Sequence, residues 1–248
     1  MAGAPEIQAI IDRDFPPDTH PYRILERAIL CHMDAGDTVL DIGCGSRATN
    51  LMQLKGRAKT LIGIDLVDFE VTDSELLLVN ADLCDMSAVQ SGSVDLSYSR
   101  SVMEHVKNVR AAYSEINRVL KPGGKYIFLT PNAWDYASII AYLVPNRFHA
   151  RVANMTEGRN ETEVFPTFFK SNTYRKISKM AEVNNFELTR FEYLGQYPCY
   201  FLFSKTLFHI GSRYEKFLER HRRLHCLRGW ILCILSKRTY PDRAKIAA

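Results

Sequence analysis

Thr38-Val-Leu-Asp41-Ile-Gly-Cys-Gly45, followed about twenty residues on by Leu61-Ile-Gly-Ile-Asp65, decides the fold of this 248-residue chain. An apolar run that ends in an acid and two alternate glycines reads as a strand opening into a tight loop. Gly43 and Gly45 have no Cβ, so the backbone can turn sharply there and come close to a ligand. Asp65, at the tip of the next apolar run, is placed to accept hydrogen bonds from both hydroxyls of a ribose. The pair of segments reads as a nucleoside-cofactor cradle.

The chain keeps the same rhythm beyond Asp65. Leu76-Leu-Leu-Val-Asn-Ala-Asp82-Leu83 is a third apolar run ending in an acid, and Ser93-Val-Asp-Leu-Ser-Tyr-Ser99 is a fourth strand-like segment. Glu115-Ile-Asn-Arg-Val-Leu-Lys-Pro-Gly-Gly124 reads as a helix end and turn that opens the strand Lys125-Tyr-Ile-Phe-Leu-Thr130. Strands alternating with helical stretches imply a mainly parallel sheet covered on both faces, with ligands bound outside the carboxyl ends of the strands. On these residues the chain resembles the class I S-adenosylmethionine-dependent methyltransferases, and among them the small-molecule branch that includes the ubiquinone O-methyltransferases. The resemblance is close over residues 36 to 131 and looser to about residue 238. It implies an α/β fold with a Rossmann-like, seven-stranded, mostly parallel sheet, helices on both faces, and S-adenosyl-L-methionine as cofactor.

One catalytic domain over residues 1–248 is the expectation, since this length suits an α/β domain with a lid and is cramped for two. Residues 5 to 35 read as helical, broken at Phe15-Pro-Pro-Asp and restarting near His20-Pro21, where proline suits a first turn. After Thr130-Pro-Asn132 the alternation stops for almost forty residues, which predicts a lid insertion at about 132–169, rich in aromatic and charged side chains. Ser171 is expected to cap a helix reaching Asn184, and Phe186 to Leu194 to form a sixth strand. Residues 204–228 read as a helical insertion before strand seven, with Trp230-Ile-Leu-Cys-Ile-Leu-Ser-Lys-Arg238 as the final antiparallel strand.

Six cysteines without paired short spacing indicate neither a zinc site nor a disulfide framework, and predict a reduced, cytoplasmic protein. The first residues lack a basic region followed by an apolar one, and no apolar run approaches the ~18 residues of a membrane span, so neither secretion nor membrane insertion is expected. Charge is unevenly placed. Residues 204–228 hold seven Lys/Arg against Glu215 and Glu219, whereas the rest holds 25 basic and 26 acidic residues. A local basic face, not a general affinity for nucleic acid, is the consequence.

The resemblance assigns roles residue by residue. Asp41 falls near the methionine end of the cofactor, with Gly43, Cys44 and Gly45 as the loop around it, and Asp65 with Leu66 at the ribose. Asp82 and Leu83 match an adenine clamp, the carboxylate accepting from the exocyclic amine and the backbone N–H donating to a ring nitrogen. Ser99 and Arg100 follow the fourth strand and should line the cofactor's inner edge. The alternatives are a capping role for Asp41 or Asp82 and a surface role for Arg100. Arg47 stands where a third glycine is common, so its side chain must point away from the cofactor.

Glu104-His105, in Ser101-Val-Met-Glu-His-Val106, is the sharpest catalytic candidate, with His105 as general base or as a packing residue. In the ubiquinone-type relatives an acid three positions before the Glu-His pair helps to hold a metal. Ser101 occupies that position here, and no metal is expected. His149, in the lid, is a second candidate base, with a surface histidine as the alternative reading. Tyr214, Phe217, Leu218, Leu224 and Leu227 suggest one helical stripe flanked by basic residues, suited to an anionic membrane, to a phosphate-bearing acceptor, or to ordinary packing.

The leading expectation is methyl transfer to an oxygen of a small molecule, a sugar or a lipid-linked intermediate. Carbon methylation of a quinone or lipid is the nearest alternative. Two other classes remain open: a nicotinamide-dependent oxidoreductase, because Gly43-Cys-Gly45 with Asp65 also suits a dinucleotide, and a cofactor-binding protein without catalysis.

Overall fold

The computed structural model describes residues 4–136, 138–139 and 165–239. In chain order the elements are α1 (Ala4–Asp14), α2 (Pro21–His32), β1 (Thr38–Ile42), α3 (Thr49–Met52), β2 (Thr60–Asp65), β3 (Leu76–Asn80) and β4 (Val94–Arg100). They continue with α4 (Val109–Val119), β5 (Leu120–Pro131), α5 (Tyr174–Val183), β6 (Phe186–Leu194), α6 (Lys205–Arg220) and β7 (Trp230–Lys237). Seven strands form one sheet in the order β3-β2-β1-β4-β5-β7-β6. β1 to β5 pair in parallel and β7 runs antiparallel to both β5 and β6.

Continuous apolar runs in the central strands reflect burial on both faces. Leu40, Ile42, Ile62, Ile64, Tyr126 and Phe128 pack with Tyr113 and Ile116 of α4 and Ile177 and Ala181 of α5. Val39, Leu61, Leu96, Tyr98, Ile127 and Leu129 pack on the opposite face with Leu25, Ala28 and Ile29 of α2 and Leu51 of α3. Local chemistry starts the helices: the His20 ring accepts from Tyr22 N–H ahead of Pro21, and Asn108 and Ser204 cap α4 and α6.

Four expectations change. Thr173, not Ser171, caps α5 by accepting from Lys176 N–H; Ser171 is buried, its hydroxyl on that of Tyr113. β5 starts at Leu120, earlier than Lys125, because Lys121-Pro-Gly-Gly forms a register shift inside the strand rather than a turn before it. A Cβ on Gly124 would lie 2.9 to 3.2 Å from the carbonyl oxygens of Lys121, Asp95 and Val94, so only glycine fits. The β2–β3 and β3–β4 connections contain no helix; about ten residues span the return when extended, so none is needed. Finally, residues 204–228 are α6 and then, after a break at His221, a 3-10 helix over Arg222–Leu227. Leu218 is buried but Phe217 is half exposed, so no single stripe runs from Tyr214 to Leu227.

Among the described residues no helix is long and apolar enough to cross a membrane. The central part of the expected lid, residues 140–164, lies outside the described residues, and His149 with it.

Candidate functional site

The carboxyl ends of β1, β2, β4 and β5 meet at one edge of the sheet, and the polar residues of the loop after β1 gather there. Gly43 and Gly45 both adopt left-handed backbone, φ +75° and +76°. Gly43 donates its N–H to the Ile64 carbonyl, which turns the loop across β2. A Cβ on Gly43 would lie 2.3 Å from Cγ2 of Val102. The segment carrying Glu104 and His105 therefore packs directly on the glycine loop.

Asp65 holds the cradle together before any ligand is considered. Its Oδ2 accepts the Gly45 N–H at 2.7 Å and its Oδ1 accepts the Leu66 N–H at 2.7 Å. Oδ1 also accepts the Val67 N–H at 3.3 Å, so Oδ2 is the oxygen that keeps a lone pair for a ribose hydroxyl. Leu66 is exposed beside it. Asp41 is buried, and its Oδ2 accepts from the Tyr98 hydroxyl at 2.9 Å. Burial pushes its carboxyl up to about 7, the charge of Asp65 adding to this while the Tyr98 hydrogen bond and Arg100 oppose it. A cation arriving there would favour the ionised form. Cys44 is packed against Gly63, and burial pushes its thiol up to about 12, so it is a neutral wall of the loop and not a nucleophile.

Asp82 accepts the Cys84 N–H at 2.7 Å through Oδ1, while its carbonyl accepts the Asp85 N–H at 2.9 Å. This is turn-capping geometry; Leu83 beside it is buried. The Ser99 hydroxyl pairs with that of Tyr126 at 2.7 Å in the core and is directed away from Asp41. Arg100 lies over the Tyr22 ring at 4.6 Å and lines a cavity of about 180 Å³ with Tyr22, Tyr98 and Asn50. Arg47 is exposed and ion-paired to Glu70 at 2.9 Å, pointing out of the loop.

Ser101, at φ +57°, turns the chain out of β4 into a 3-10 helix over Met103–His105. Met103 and Glu104 are buried, and the His105 side chain is about a third exposed. Glu104 accepts from the Thr130 hydroxyl at 2.9 Å, and Thr130 accepts in turn from Asn172 Nδ2 at 2.7 Å. His105 Nδ1 lies 3.1 Å from the Pro166 carbonyl, which can only accept, so Nδ1 is the donor there and in the neutral ring Nε2 carries the lone pair. Nε2 is 3.8 Å from Glu104 Oε1. The pair has the form of a base whose protonated state is met by a carboxylate. Tyr98, Thr130 and Asn172 escaped the sequence reading. For Thr130 the only signal was a polar residue closing an apolar strand, and for Tyr98 a ring hydroxyl among the serines of β4. Among the described residues no group of three His, Cys, Asp or Glu is arranged to hold a metal ion.

Known proteins resemble this chain in sequence and in fold. Residues 40–128 match the methyltransferase domain family. The ubiquinone biosynthesis O-methyltransferase of Pseudomonas syringae pv. tomato is 27% identical over 154 residues, 54% of this chain and 64% of that protein. The sterol 24-C-methyltransferase of Pneumocystis carinii is 29% identical over 102 residues, 37% of this chain and 27% of that protein. A crystal structure of an S-adenosylmethionine-dependent methyltransferase from Mesorhizobium loti shares the fold, with a TM-score of 0.57 at 17% identity, over 88% of this chain and 99% of that one. Residues 40–128 therefore carry a methyltransferase domain, in a fold shared with S-adenosylmethionine-dependent methyltransferases. The chain spans about half the length of the curated relatives it matches, ranging from 27% to 64%.

Proposed function

We propose that this chain, as one methyltransferase domain, moves a methyl group from S-adenosylmethionine to an oxygen of a small-molecule acceptor. The observation that carries the reading is the His105–Glu104 pair, held on the glycine loop through Val102. Bound cofactor supplies a sulfonium-activated methyl group. Gly43 and Gly45 give it backbone access, Asp65 accepts from its ribose, Asp41 meets its ammonium group, and Asp82 and Leu83 face its base. An alcohol must lose its proton as the new bond forms, and His105 Nε2 is the group that takes it. Glu104 Oε1 then stabilises the imidazolium. The acceptor is a small molecule and not nucleic acid, since outside residues 204–228 the chain holds 25 basic against 26 acidic residues.

Transfer to carbon is the second reading, favoured by the similarity to a sterol C-methyltransferase beside that to an O-methyltransferase. The test is incubation with methyl-labelled cofactor and a fractionated small-molecule extract, then mass spectrometry and NMR of the labelled product. A methoxy product supports the first reading and a C-methyl product the second. Cofactor binding with no labelled product from any fraction overturns both.

A further inference from the structure

α6 presents three distinct faces. Phe208, Gly211, Ser212, Glu215 and Leu218 are buried against the domain. Leu207, Ile210 and Phe217 are exposed and recur, with Tyr214, at spacings of three and four. Leu202 and Phe203, in the turn before the helix, add to this exposed apolar surface, Phe203 being 62% and Ile210 61% accessible. Beside it His209, Arg213, Lys216 and Arg220 recur at the same spacings, with Arg222 and Arg223 just beyond. With ~100° between successive residues, the apolar and basic rows lie side by side on the solvent face.

An isolated exposed apolar residue is unremarkable, but a contiguous row marks an interaction surface. Its charge selects the partner. Lys205 is paired with Glu6, and Lys216 with Glu219 at 2.9 Å. Among the described residues, Arg213, Arg220, Arg222 and Arg223 have no carboxylate at ion-pair distance. A second copy of the chain, docked row to row, would bring these cations against their equivalents. A surface of anionic headgroups over acyl chains satisfies both rows together.

We propose that α6 docks on an anionic lipid surface, with Phe203, Leu207, Ile210 and Phe217 entering below the headgroups and the arginines meeting lipid phosphates. The docking face adjoins the carboxyl edge of the sheet: Tyr136, just beyond β5, stacks on Phe201 at 5.9 Å and meets Tyr214 edge-on at 5.7 Å.

Vesicle flotation tests this with the full chain, using phosphatidylcholine alone and equal parts phosphatidylcholine and phosphatidylglycerol. The protein is expected to float with the acidic vesicles only, and less as salt rises. The double variant R213Q/R220Q should lower partitioning roughly 30-fold, and I210S/F217S by about tenfold or more. All four side chains lie away from the buried face, and thermal melts identify any variant that fails to fold. Absence of flotation, equal flotation with both vesicle types, or indifference to both double variants overturns the proposal. So does a dimer in sedimentation velocity that I210S/F217S converts to monomer, because the row would then belong to a second copy.

Discussion

The Tyr98 hydroxyl on β4 donates to Oδ2 of Asp41 on β1 at 2.9 Å, across two strands paired in parallel. Burial holds this carboxyl at about 7, against ~3.9 in an unfolded chain. The folded state thus binds the extra proton between these values. Its contribution to stability is complete below pH ~4 and is lost as pH rises through about 7. Asp41→Asn should flatten the fall in stability across that window and stabilise the protein at pH 8 by something on the order of 1 to 3 kcal/mol. Glu215, which burial and the charge of Asp135 push up to about 8, titrates nearby but is common to both proteins. Urea unfolding at a series of pH values measures the difference. An identical slope in parent and variant contradicts the assignment.

Asp65→Ala removes the acceptor for the Gly45 and Leu66 amides as well as the ribose contact. Calorimetry should show a loss of S-adenosylmethionine affinity of at least ~1.5 to 3 kcal/mol, the range for one charge-assisted hydrogen bond. Unchanged affinity, or tighter binding of NAD, would sink the cradle reading.

Gly43→Ala meets two obstacles: a φ of +75° and Val102 Cγ2 at 2.3 Å. Destabilisation of roughly 2 to 4 kcal/mol is expected. Val102→Ala in the same protein should restore the steric part and leave the ~1 kcal/mol backbone part. Thermal unfolding of both variants separates the two; full recovery in the double variant would mean that φ carries no cost.

His105→Ala should lower kcat ~100-fold or more once an acceptor is in hand, with little change in cofactor affinity. Glu104→Gln keeps an acceptor for Thr130 but removes the charge facing Nε2, and about a tenfold loss in kcat with KM unchanged is expected. If kcat survives in His105→Ala, the ring is a packing residue.

Because Ser101 occupies the position where a metal-binding acid is expected by resemblance, activity should persist after dialysis against EDTA. Complete loss, restored by magnesium alone, would show that other oxygens supply the missing ligand.

Much of the frame was legible because local pattern carries it. The apolar runs ending at Asp65 and Leu194 coincide with β2 and β6, and Gly43 and Gly45 turn where their missing Cβ atoms allow. The features that escaped depend on contacts distant in sequence. Tyr98 reaches Asp41 from 57 residues away, and Asn172 reaches Thr130 across 42. Ser171 and Thr173 are both competent caps, and the Tyr113 hydroxyl settles the choice by taking the serine. Glu215 reads as a surface acid in a basic helix, yet it faces inward, because burial on α6 tracks Phe208, Gly211 and Leu218.

The chain leaves the sheet after Pro131 and comes back at Asn172, and these two points are fastened to each other. Ala133 N–H donates to the Asn172 carbonyl at 2.9 Å, Asn172 Nδ2 reaches the Pro131 carbonyl at 2.9 Å, and Glu104 O receives the amides of Phe168 and Phe169. The intervening stretch is thereby closed at its base by groups that belong to the frame. The same base carries side chains that the rest of the domain uses: Tyr136 lies on Phe201 and the Pro166 carbonyl meets His105. The hydrogen bonds that fasten the two ends of the excursion together therefore also fix one wall of α6 and the orientation of the His105 ring, so loosening the junction would disturb both at once.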